Sequence, residues 1–128
     1  MNVLVKILAI ASVAMSSVVL AETPTITPDA LAERIEKKDA DIVVLDVRTP
    51  QEFASGHVPG ALNIPHDQLP NRIAELIGAK DKDIVVYCRS GKRAARAQQT
   101  LAEHGFERVL HLDGDILKWE EEKRPVEK

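Results

Sequence analysis

The stretch Ile84-Val85-Val86-Tyr87-Cys88-Arg89-Ser90-Gly91-Lys92-Arg93 decides how the chain is read. Three β-branched residues and a tyrosine, with no polar residue between them, read as a strand buried on both faces. The Ala-rich segment to His104 reads as a helix, over 93–104, whose Ala94, Ala97 and Leu101 form a packing stripe. The sole cysteine of the 128-residue chain therefore stands where a strand ends and a helix begins. Backbone N–H groups of such a loop converge on its centre, and a helix N-terminus adds about half a positive charge. Arg89, Lys92 and Arg93 crowd the same loop, and Arg96 follows one turn later. A thiol in surroundings of this kind ionises below its usual value of about 8.5, and the thiolate is the reactive species. The bland alternative is an inert core cysteine, the commoner fate of a lone Cys. Three basic neighbours and a glycine in the next five positions favour the reactive reading.

Outward from that loop the same alternation recurs. Ile42 to Leu45 and Val109 to Leu112 are further apolar strands, with short ones expected at Ile26 and Ala61 to Ile64. Between them the spacing predicts a helix over 28–38, opened by Thr27-Pro28. Thr49-Pro50-Gln51-Glu52 has the capping-box pattern and opens a short helix that Gly56 closes. Leu69, Ile73, Leu76 and Ile77 are expected to share the buried face of a helix over 69–77, and Gly105 to cap helix 93–104. A last short helix over 116–122 carries Trp119, expected to pack it onto the domain. Strands alternating with helices predict one α/β domain with a mostly parallel sheet.

Sites in such sheets form beyond the carboxyl ends of the strands. Asp46, Cys88 and Asp113 end the three main strands, so Asp46 and Arg48 fall on the same edge as the cysteine loop. They are expected to hold that loop in shape or to border a substrate entrance. The competing reading makes Arg48 half of a surface ion pair with Glu52.

Composition narrows the function further. Met1 to Lys6, the apolar run Ile7 to Leu20 and small Ala21 have the anatomy of a cleavable secretory signal, leaving residues 22–128 as the domain and a periplasmic location. Lys6 is the only charged residue removed, so the remaining 107 residues carry 16 basic and 20 acidic side chains, a net charge of −4. That balance argues against nucleic acid as partner, and no stable membrane association is expected after cleavage. Basic charge gathered at one loop suits a small anion. One cysteine cannot form an internal disulfide, which strengthens the reactive reading in an oxidising compartment. The four histidines lack ligand spacing, so neither a metal nor another cofactor is expected.

Asp46-Val47-Arg48-Thr49-Pro50-Gln51-Glu52-Phe53, Gly56-His57-Val58-Pro59-Gly60-Ala61-Leu62-Asn63-Ile64-Pro65, Val86-Tyr87-Cys88-Arg89-Ser90-Gly91-Lys92-Arg93 and Leu112-Asp113-Gly114 with Trp119 resemble the rhodanese (thiosulfate sulfurtransferase) family. The likeness covers about residues 25–122 and is similar to the small periplasmic phage-shock rhodaneses. It implies a five-stranded sheet with helices on both faces. It also implies a Cys88 persulfide that carries sulfane sulfur from thiosulfate to cyanide or another thiophilic acceptor, a protein acceptor included. By the family pattern Arg93 closes the loop by pairing with an acidic residue, while Arg89, Ser90, Gly91 and Lys92 line it, Arg89 and Lys92 facing the entrance. Two departures stand out. Gly114-Asp115 replaces a Gly-Gly pair, placing negative charge near the anion site, and Lys123-Arg124-Pro125 lacks a glycine before the proline. A phosphatase or arsenate reductase of the same fold is the first rival, yet such relatives carry five residues between cysteine and arginine where this chain has four. A non-enzymatic persulfide carrier or partner-binding module is the second.

Overall fold

A computed structural model describes residues 23–128, so the signal-peptide reading of residues 1–21 falls outside the described residues. β2 (Ile42–Asp46) and β4 (Asp83–Tyr87) lie at the centre of the sheet, paired in parallel from Ile42↔Asp83 to Asp46↔Tyr87. β1 (Thr25–Ile26), β3 (Leu62–Asn63) and β5 (Val109–Leu112) complete a five-stranded sheet in the order β1-β5-β4-β2-β3, with every pairing parallel.

Two cores flank this sheet. Ile84 and Val86 pack with Leu69, Leu76, Ala94, Ala97 and Leu101 on one side. These come from α3 (Leu69–Arg72), the 3₁₀ helix Ile73–Ala79 and α4 (Lys92–Glu103). Val85 and Tyr87 pack with Leu31, Ile116 and Trp119 on the other side. That face is covered by α1 (Pro28–Glu36) and α5 (Asp115–Glu121), with Phe53 of α2 (Pro50–Ser55) against its margin. Burial on both faces is why the central strands read as continuous apolar runs rather than alternating ones.

Local signals set the helix ends. The Thr27 hydroxyl accepts the Ala30 N–H at 3.1 Å. Thr49 and Glu52 form the full capping box of α2. α4 ends where Phe106 N–H reaches Leu101 C=O (3.0 Å) and Gly105 N–H reaches Ala102 C=O (3.1 Å), with Gly105 at φ +82°. This is the glycine-dependent termination that satisfies orphan carbonyls, and Phe106 buries itself on Leu101.

The expected helix over 69–77 is corrected. Only Leu69–Arg72 is α-helical, and Ile73–Ala79 winds as a 3₁₀ helix. Three residues per turn align Ile73, Leu76 and Ala79 on the core and rotate Ile77 outward, where it is 58% exposed. Leu76→Ala should therefore cost about 2–5 kcal/mol in urea denaturation, whereas Ile77→Ala should stay within about 0.5 kcal/mol. Equal losses at both positions would restore the α-helical face.

Candidate active site

β2 leads toward β3 and β4 toward β5, so the chain departs in opposite directions from two adjacent strands. Crevices form at the carboxyl ends of such a pair, and Cys88 directly follows β4. It is 1% exposed, with its Sγ accepting the Gly91 N–H at 3.0 Å. Gly91 has φ +118° and leads into α4. A Cβ there would lie 3.2 Å from the Asp115 carboxylate, so close approach as well as conformation demands glycine. Arg89, Ser90, Lys92 and Arg96 are exposed, and among the described residues none of the three basic side chains meets a carboxylate.

Arg93 is engaged otherwise. Its guanidinium donates to both Glu52 oxygens, at 2.6 and 3.0 Å, joining the start of α4 to α2. Such a two-pronged contact fixes geometry as well as charge. Glu52 is held at about 2, chiefly by the Arg93 hydrogen bond and against the effect of burial. Arg48 does not pair with Glu52, which corrects the surface-pair reading.

Arg48 instead turns back on Asp46, both of them buried, through contacts of 2.7–3.1 Å. It also donates to Gly56 C=O at 2.7 Å. The Tyr87 hydroxyl donates to Asp46 at 2.8 Å and accepts the Val58 N–H at 3.0 Å. Burial first, then the Asp46 charge, pushes the Tyr87 phenol above its usual value, so it remains a donor. Asp46 and Arg48 are thus buried, and Asp46 fixes Tyr87, the residue just before Cys88. Their contact with Tyr87 belongs to the opposite core from Cys88.

The pair formed by His111 and Asp115 was not legible as a unit in the sequence. Asp115, 1% exposed, accepts the Cys88 N–H at 3.0 Å and contacts His111 Nε2 at 2.9 and 3.0 Å through its two oxygens. Ile116 N–H meets Cys88 C=O at 3.1 Å. Asp115 and Lys123 both keep φ at 55°, a left-handed conformation that glycine adopts most easily. An aspartate at a glycine-like turn, four residues after a strand histidine, was the available signal.

The Rhodanese-like domain family matches residues 27–122. The chain belongs to the rhodanese family. A "Sulfurtransferase" of Allochromatium vinosum is 39% identical over 101 residues, 79% of this rhodanese chain and 92% of that protein. The tRNA uridine(34) hydroxylase of Pectobacterium carotovorum is also 39% identical, over 63% of this chain but only 24% of its own length. Among solved structures, a rhodanese-related protein from Thermoplasma volcanium superimposes with a TM-score of 0.70 at 33% identity, covering 81% of this chain and 97% of that one.

The Glu52–Arg93 clamp gives the rhodanese domain an acid-sensitive contact. A lowered carboxyl contributes stability above its unfolded value, 4.5, and loses it as pH falls toward about 2. The stability advantage of the natural protein over Glu52→Gln should shrink across that window in denaturant titrations. A difference independent of pH there would refute the clamp.

Proposed function

We propose that this rhodanese domain transfers sulfane sulfur from thiosulfate, or a closely related donor, through a Cys88 persulfide. The observation that carries the reading is the Gly91 N–H aimed at Cys88 Sγ, 3.0 Å away, in a loop that feeds the N-terminus of α4. The Cys88 thiolate attacks the outer sulfur of thiosulfate, and sulfite leaves with the electrons of the broken S–S bond. The persulfide formed is again a monoanion, so the donor that stabilises the thiolate side also serves the intermediate. Cyanide or another thiophile then takes the terminal sulfur and returns the thiolate. Arg89 and Lys92, exposed and unpaired among the described residues, draw in the dianion, while Arg93 holds the loop against Glu52. Support for sulfur transfer also comes from the Allochromatium vinosum relative's name and near-complete coverage. The acceptor in the cell is a small thiophile or a protein thiol.

Export is part of the proposal. The protein acts in the periplasm after cleavage at Ala21, and the N-terminal sequence of the protein recovered from that compartment should begin at Glu22. Recovery with Met1 intact would contradict it.

Cys88→Ser should fold with an unchanged melt and produce no thiocyanate from thiosulfate and cyanide; retained turnover would defeat the mechanism. Lys92→Ala should raise KM for thiosulfate roughly three- to tenfold with a smaller change in kcat, an effect that salt diminishes. An unmoved KM would remove Lys92 from the anion site.

A further inference from the structure

Asp115 presents a difficulty for a cysteine that must ionise. It is a carboxylate, 1% exposed, held 3.0 Å from the Cys88 peptide nitrogen and beneath Gly91, whose own N–H serves Sγ. A carboxylate held against the cysteine's own peptide opposes a second negative charge on the same residue. The same carboxylate is useful, because it fixes the Cys88 N–H while Ile116 N–H holds the Cys88 carbonyl at 3.1 Å. The cysteine is therefore positioned by a group whose charge disfavours its reactive form.

His111 resolves the conflict. Its Nε2 contacts both Asp115 oxygens, at 2.9 and 3.0 Å, and a Cβ on Gly91 would lie 3.6 Å from its Cε1. The histidine, the carboxylate and the cysteine loop thus form one contiguous cluster on the ends of β5, α5 and β4. We propose that His111 and Asp115 are a positioning pair for Cys88, in which the carboxylate orients the cysteine and the imidazolium cancels the carboxylate's charge so that Cys88 can carry its own. The proposal rests on Cys88 being the sulfur-accepting nucleophile, and it adds two residues to that site.

Consequences for pH follow from the surroundings of His111. Asp115 on α5 and Asp113 in the preceding turn are the acidic groups that bear on it, and Asp113 is exposed and bound to Lys118 at 2.8 Å. The loop above it brings Cys88 and three cations, Arg89 and Lys92 exposed and Arg93 paired with Glu52. The strand neighbours of His111, Val86 on β4 and Thr25 on β1, bring no charge. The hydrogen bond to Asp115 raises the imidazole above its ordinary value, outweighing burial. Below that raised value the His111 imidazolium faces the Asp115 carboxylate and covers its charge. Above it the Asp115 charge stands uncovered beneath the loop.

Iodoacetamide tests this directly, being uncharged and needing no sulfur donor. Its rate with Cys88, followed by intact mass across about pH 5–9, would be compared in the natural protein, His111→Gln, Asp115→Asn and the double variant. His111→Gln keeps a neutral donor to Asp115 and should slow alkylation near pH 6 on the order of tenfold. Asp115→Asn, added to it, should restore the rate to within about twofold of the natural protein, because the uncovered charge is gone. Asp115→Gly is a second background, since φ of 55° suits glycine and the fold should persist. NMR titration of His111 should show its midpoint fall in both Asp115 variants. Unchanged alkylation in a folded His111→Gln, or a double variant as slow as the single, would overturn the pair. Failure of thiosulfate turnover with these alkylation results intact would count against the sulfur donor only.

Discussion

The peptide of Cys88 is gripped at both ends by the beginning of α5: Asp115 takes its N–H and Ile116 N–H takes its C=O. The rest of the architecture holds the strand and the loop on either side of that contact. β4 delivers Cys88 from the middle of the sheet, where Ile84 to Tyr87 are almost wholly shielded from solvent. Tyr87, one residue earlier, is tied by its hydroxyl to Asp46 on β2 and to Val58 in the loop beyond α2. Arg93 ties the far end of the cysteine loop to Glu52. Four separate segments thereby fix a turn of six residues, Cys88 to Arg93.

The cations divide by what surrounds them. Arg48 and Arg93 are committed to Asp46 and Glu52, and neutralise buried or half-buried carboxylates. Paired buried charges of this sort add little net stability, but losing one partner leaves an uncompensated ion costing about 3–5 kcal/mol. Arg89, Lys92 and Arg96 stay exposed. Exposed cations steer an anionic ligand without having to be desolvated first. The loop thus separates the charges that build it from exposed charges that, in the proposed reaction, would recruit an anionic donor.

Much of the fold was legible because its signals are local. The apolar runs at Ile42 and Ile84, the Thr49–Glu52 capping box and the glycine after α4 each depend on a few neighbouring residues, and the strands and helices follow. Ile77 was misplaced because apolar spacing cannot by itself tell 3.6 residues per turn from three. The cysteine loop was readable from its own composition. The Glu52–Arg93 pair was not, since its partners lie 41 residues apart and are brought together by helix packing, and Arg48 turns back on Asp46, two residues away, rather than out to Glu52. His111 looked ordinary because its partner sits across a tight turn, where Asp115 adopts a left-handed backbone and its carboxylate lies under Gly91.

Intact mass of the purified protein, taken after thiosulfate and again after cyanide, tests the central claim most directly. Gain of one sulfur atom on a chain with a single thiol, then its loss with an equal amount of thiocyanate released, is the predicted result. An unchanged mass after thiosulfate, with Cys88 reduced and open to alkylation, would contradict sulfur transfer from this donor.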